Sequence, residues 1–143
     1  MTSGKDLTFK AVTRFHRALY DLSKGRIAGS GGGMPVVKLT TVGRKSGERR
    51  VTMLTTPLEL GANVILVASY GGDDRHPAWY GNLVAHSDVD IQLRGQTRSM
   101  RARVADGEER DRLWTQLTAA HANYAGYQTK TTRVLPVVVL EPR

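Results

Sequence analysis

Between Thr97 and Asp106 the chain alternates. Met100, Ala102 and Val104 occupy every second position, and Ser99, Arg101 and Arg103 fill the gaps. This two-residue period predicts a strand with one dry face and one wet face. VDIQLR, residues 89–94, precedes it across Gly95-Gln96 and is expected to pair with it as a hairpin. Three runs upstream are rich in β-branched residues: PVVKLTTVG (35–43), a long RRVTMLTTPLEL (49–60) and the continuously apolar NVILVASY (63–70). The turns GRKSGE and GAN separate them. A final run, VLPVVVLE (134–141), completes the set, and its Pro136 predicts an edge position or a bulge.

Helical periods interrupt this pattern. Leu7, Ala11, Phe15, Ala18 and Leu22 recur at steps of three and four, with Lys10, Arg14 and Arg17 on the other side. Asp6 can cap the start of that helix and Gly25 can end it. Pro77 opens a short helix bearing Trp79, Tyr80 and Asn82. Asp106 and Glu109 have the spacing of a capping box for a helix over 107–121, with Leu113, Trp114 and Leu117 as its apolar stripe. The stretch GRIAGSGGGMP reads as a connection, because its glycines cannot form a helix or a regular strand interior. Its lack of a following GK[ST] excludes a complete phosphate-binding P-loop. Short strands joined by hairpin-length turns predict a mainly β, α+β fold: a small barrel of about six antiparallel strands with flanking helices. Residues 1–33 form an appendage and residues 34–143 one barrel domain.

Composition narrows the chemistry. At 143 residues and 40% hydrophobic, the chain suits one packed domain. It has no cysteine, which excludes a disulfide framework, a thiolate nucleophile and a cysteine-ligated metal. No apolar run is long enough to span a bilayer, and the first residues lack a signal-peptide pattern, so a cytoplasmic protein is expected. His16, His76, His86 and His121 show no metal-ligand spacing, so no metal is expected, and no GxSxG elbow is present. The acidic residues fall at turn, cap and surface positions. With no reactive constellation of its own, the chain points toward a bound organic cofactor.

Charge then selects three segments. The net charge is +8, so an anionic partner is expected. GRKSG (43–47), followed by Glu48, Arg49 and Arg50, gathers Arg44, Lys45, Ser46 and Arg50 at a glycine-bounded turn. Its composition fits a solvated turn and an anion site equally. ASYGGDDRHPAWYGNL (68–83) places Ser69, Tyr70, Gly71 and Gly72 at a strand end, where glycine allows close approach to a flat ligand, with Trp79 and Asn82 just beyond. HANYAGYQTKTTR (121–133) sets Tyr124 and Tyr127 three apart on one helical face, suited to a flat substrate or to core packing. The basic residues are spread along strands and turns with few aromatics between them, which argues against nucleic acid.

In this order, LTTVGRKSGERR, ASYGGDDRHPAWYGNL, EERDRLW and YAGYQTKTTRVLPVVVLEP resemble the deazaflavin (F420)-dependent nitroreductases, the F420H2-dependent quinone and nitro reductases of actinobacteria. The resemblance runs from about Pro35 to the end of the chain. It implies a split β-barrel related to FMN-binding oxidase folds, with F420 in a groove. It implies that Arg44, Lys45, Ser46 and Arg50 hold the phosphate of the cofactor tail. Ser69, Gly71 and Gly72 would lie near the deazaflavin ring, Trp79 and Asn82 on a supporting helix, and Tyr124 and Tyr127 on the substrate side. Tyr70 stands where close relatives often carry lysine, His121-Ala122 where many have Tyr-Pro, and Met53 where proline is common.

The expected chemistry is hydride transfer to a quinone, nitroaromatic or activated enone. Ser69, Tyr124, Tyr127 or water would supply the proton. FMN in place of F420, and a non-catalytic carrier of F420, flavin or haem, are the alternatives. A monomer or homodimer is expected. The N-terminal helix has either a solvated basic face or a peripheral contact with the inner face of the plasma membrane.

Overall fold

The computed structural model describes residues 30–31 and 33–143. The predicted N-terminal helix, its membrane contact and most of the glycine-rich connection lie outside the described residues. Among the described residues, no helix is long and apolar enough to cross a membrane.

The described strands are β1 (Ser30–Gly31), β2 (Met34–Val42), β3 (Arg49–Thr55), β4 (Leu58–Leu60), β5 (Asn63–Val67), β6 (Asp88–Leu93), β7 (Gln96–Val104) and β8 (Val137–Pro142). The helices are α1 (Ala78–Ala85), α2 (Gly107–Ala120) and α3 (Asn123–Gln128), with a single tight turn at Tyr70–Gly72. All strand pairs are antiparallel, in the order β1-β2-β6-β7-β8-β5-β4, with β3 on β2.

The long strand expected over 49–60 is divided at Thr56-Pro57. Its first half pairs with β2 and its second half with β5, so one bent segment links the two ends of the sheet covalently, and among the described residues no ladder closes it. Thr56 is 1% exposed, and its hydroxyl donates to the Ile65 carbonyl at 2.7 Å, which satisfies both groups where the chain changes partner. This is the split form of the expected barrel.

The strand faces separate two apolar clusters. Val64 and Leu66 of β5 and Val138 and Leu140 of β8 join one, and Ile65, Val67, Val137 and Val139 join the other. Both strands are buried on both faces, which is why they read as unbroken apolar runs. α1 packs on β2 and β7 and seats Trp79 and Leu83 in the first cluster. α2 and α3 cover the other face with Leu113, Leu117 and Tyr124.

Three sequence expectations are corrected. β8 is central, between β7 and β5, not at an edge. Pro136 lies one residue before the ladder, where its missing N–H removes no bond, and its carbonyl still accepts from the Ala68 N–H at 2.9 Å. The β6–β7 turn falls on Arg94-Gly95, both at positive φ (50° and 79°), as a two-residue hairpin of right-handed twist requires. Asp106 does precede α2, but neither it nor Glu109 completes a capping box. Glu109 instead accepts both Nη groups of Arg103, at 2.5 and 2.8 Å, because the guanidinium offers two parallel donors and a full opposite charge where a cap offers one backbone N–H.

Candidate functional site

The turn between β2 and β3 is closed by its own backbone. The Gly43 N–H donates to Glu48 at 2.7 Å, and the Gly47 N–H to Gly43 at 2.9 Å. The Ser46 hydroxyl folds inward and accepts from the Glu48 N–H at 3.1 Å and from Arg50 Nη2 at 3.4 Å. A Cβ on residue 43 would lie 2.6 Å from that hydroxyl oxygen, so glycine there gives Ser46 its place. Ser46 therefore braces the turn.

Arg44 is bound to α1. Its backbone N–H donates to Asn82 Oδ1 at 3.1 Å, and its Nη1 donates to the same oxygen at 3.0 Å and to the Ala78 carbonyl at 3.2 Å. Asn82 is 5% exposed and donates from Nδ2 to the buried Thr41 hydroxyl at 3.2 Å. Sheet, turn and helix are thus joined through one amide. At Gly81 a Cβ would stand 3.1 Å from Arg44 Nη1, so the guanidinium lies against the helix where a side chain is missing.

An open groove of about 560 Å³ runs between this turn and α1, lined by Gly43, Arg44, Lys45, Ser46, Arg49, Arg50, Val51, Thr52, Ala78, Trp79 and Asn82. The structure therefore brings together six sequence-predicted residues: Arg44, Lys45, Ser46, Arg50, Trp79 and Asn82. Arg50 has an exposed ion pair with Glu48 at 3.4 Å, and Arg49 one with Asp90 at 3.2 Å. Exposed pairs of this kind are weak and exchange readily for a better anion. Sequence reasoning missed Arg49, Gly81 and Thr41. Arg49 was legible as the neighbour of Arg50, whereas Thr41 and Gly81 are defined only by what packs on them.

The second predicted cluster forms a strained turn. Tyr70, Gly71 and Gly72 have φ of 46°, 65° and 83°, three successive left-handed residues. For Tyr70 this costs roughly 1–2 kcal/mol, and such strain concentrates at functional loops. The Gly72 N–H donates to Ser69 at 2.9 Å and the Asp73 N–H to Tyr70 at 3.2 Å. A Cβ on residue 72 would lie 2.7 Å from the Tyr127 carbonyl, so the turn and α3 meet backbone to backbone. Arg133 donates to the carbonyls of Ala68, Ser69 and Asp73 and to His76 Nδ1. Arginine has no acceptor, so His76 carries its proton on Nε2. Burial and the Arg133 charge push the His76 pKa below its ordinary value. Neither Arg133 nor His76 is assigned a role by the sequence, although Arg133 lies in the C-terminal segment that carries the resemblance.

The third cluster divides. Tyr124 and Tyr127 meet edge to face, with centroids 5.9 Å apart. Tyr124 is 5% exposed and belongs to the cluster under α2 and α3, its hydroxyl 3.6 Å from Met34 Sδ, and burial raises its pKa. Tyr127 is partly buried beside the strained turn, with Lys130 Nζ 5.6 Å from its ring centroid. Ser69, Tyr124 and Tyr127 do not line the cationic groove. They stand at the Tyr70–Gly72 turn and α3, joined to α1 through residues 73–77.

A sequence profile described as F420H(2)-dependent quinone reductase matches residues 12–142. An F420H(2)-dependent quinone reductase of Mycobacterium tuberculosis is 39% identical over 136 residues, covering 92% of this chain and 91% of that protein. A solved F420-H2-dependent reductase is 42% identical, covers 75% of this chain and 94% of its own, and superposes with a TM-score of 0.67. Another solved chain, described as a domain-swapped dimer, is 35% identical, covers 90% of this chain and 100% of its own, and has a TM-score of 0.68. A Clostridium acetobutylicum protein of the pyridoxinephosphate oxidase family, at 7% identity and a TM-score of 0.54, shares the split-barrel fold alone. The chain belongs to the F420H(2)-dependent quinone reductase family.

Proposed function

We propose that this protein uses reduced F420 to reduce a quinone, and that the groove between the GRKSG turn and α1 holds the anionic tail of the cofactor. The carrying observation is the groove itself: four cationic side chains, two hydroxyl side chains and an indole line about 560 Å³ of open space. When bound, F420 supplies a hydride from C5 of its reduced deazaflavin ring.

The residues fit that group. Lys45, Arg49 and Arg50 offer charge to the phosphodiester and carboxylates, while Arg44 fixes the turn against α1. Gly71 is the partly exposed glycine of the strained turn and offers backbone to a flat ring, while Gly72 is buried against the Tyr127 carbonyl and fixes the turn on α3. Ser69 and Tyr127 are the candidates to place a proton on the product, and Tyr124 orients Tyr127 through an edge-to-face contact. Burial keeps the Tyr124 phenol protonated. Nitroaromatics and activated enones share the planarity and electron deficiency of quinones, so they extend the acceptor class.

Side-by-side titration of the pure protein with F420, FMN and NADPH tests the cofactor. Tight binding of F420 alone is the expected result, and a yellow protein holding FMN and ignoring F420 would overturn it. Steady-state oxidation of reduced F420 by a soluble benzoquinone is expected as well. Binding without turnover would identify a carrier.

A further inference from the structure

The Tyr70–Gly72 turn is unfavourable by itself, so something outside it must hold it. Its two internal bonds close the turn but do not tie its ends to the rest of the protein. Arg133 does this from 57 to 65 residues away in sequence. Its Nε donates to the Asp73 carbonyl at 2.8 Å, on the far side of the turn. Its Nη1 and Nη2 donate to Ala68 at 3.1 Å and Ser69 at 3.0 Å, on the near side. Nη1 also reaches His76 Nδ1 at 3.1 Å. One rigid plane therefore spans both ends of the turn. A lysine ammonium, a point donor on a flexible stem, cannot reproduce that fork.

Arg133 is itself anchored. Gln128, the last residue of α3, donates from Nε2 to the Arg133 carbonyl at 2.7 Å and accepts from the Leu135 N–H at 3.0 Å. Tyr127 precedes it on the same helix. A continuous set of hydrogen bonds thus runs from α3 through Gln128 and Arg133 to the Ser69–Asp73 segment.

We propose that Arg133 is a positioning residue for hydride transfer: its guanidinium holds the Ser69–Gly72 turn in its left-handed shape and, through Gln128, in fixed register with Tyr127. The proposal rests on the reading of this turn as the one beside the cofactor ring.

The test compares wild type with Arg133→Lys and Arg133→Gln, after circular dichroism has confirmed folding. Amide hydrogen exchange of residues 69–73, measured without cofactor, reads the turn directly. Exchange is expected to quicken about tenfold or more in both variants. With reduced F420 and a soluble benzoquinone, kcat is expected to fall about tenfold or more, because small misplacements of reacting groups are costly. KM for the quinone is expected to stay within about threefold, and lysine is expected not to rescue kcat. Unchanged exchange, or faster exchange with unchanged kcat, would overturn the proposal. Should wild type neither bind F420 nor oxidise it, the cofactor assignment fails, and the exchange comparison alone decides whether Arg133 holds the turn. If the Arg133 variants do not fold, Gln128→Leu, which releases residues 131–135 without altering the guanidinium, provides the same comparison.

Discussion

At the scale of single residues, adjacent cations have different duties. Arg44 spends its donors on α1, whereas Lys45 makes no ion pair among the described residues and lines the groove. Gly81→Ala separates these duties. The added methyl would stand 3.1 Å from Arg44 Nη1 and displace the guanidinium, while alanine favours the helix. We expect a thermal midpoint close to wild type and F420 affinity weakened about tenfold, read by fluorescence titration. A variant that binds as wild type would show that the Arg44 contact does not order the site.

His76 makes a second residue-scale prediction. It meets Arg133 from the segment before β8 and Tyr80 from α1, and Asp73, Asp74 and Arg75 precede it in its own loop. Its folded pKa lies below the ordinary histidine value of about 6.5, first through burial and then through Arg133. The unfolded chain therefore binds more protons than the folded one in the window below that value. Stability from this group rises with pH there and is lost as pH falls through it. Melting curves between about pH 5 and 7 should show this slope, and His76→Gln, which accepts from Arg133 without titrating, should flatten it. An equal slope in both proteins would refute the assignment.

At the scale of elements, local pattern and tertiary context divide the work. The alternation around Met100 and Ala102 was legible because one face of β7 is wet, whereas Val104, expected on the dry face, is 40% exposed. Residues 63–67 and 137–140 were legible as strands but not by position, because burial on both faces erases the alternation. Pro136 misled for a related reason. Proline excludes a ladder bond only at its own residue, and the ladder starts one residue later. The break at Thr56-Pro57 had a local mark in Pro57, which interrupts a strand, but the change of partner from β2 to β5 had none. α2 was legible from Leu113 and Leu117, both buried against the second face. Leu117 is fully enclosed, so Leu117→Ala should cost about 2–5 kcal/mol in urea unfolding. A loss under about 1 kcal/mol would mean that α2 does not pack as described.

At the scale of the whole molecule, the distribution of charge matters more than its sum. Arg94, Arg101 and Arg103 are paired with Glu59, Asp88, Glu109 and Glu141 on the strand surfaces. The cationic turn has weaker compensation and faces a groove, which concentrates field on an incoming anion. F420 affinity should therefore fall as ionic strength rises, and Lys45→Ala with Arg50→Ala should both weaken binding and lessen that dependence. An unchanged salt dependence in the double variant would place the anion site elsewhere.

By itself the sequence determined the kinds of element, most of their order, and the gathering of positive charge in the turn from Gly43 to Arg50. Those follow from side-chain period, glycine and charge, which are local properties. Only the tertiary structure decided that Arg44 faces α1, that Tyr124 belongs to the core while Tyr127 borders the strained turn, and that Arg133 reaches back to Ala68, Ser69 and Asp73. The partners of Arg44 and Arg133 are distant in the chain and include backbone carbonyls and a missing Cβ. Such groups leave no mark in a residue's identity, so they become recognisable only once folding has set them opposite a guanidinium.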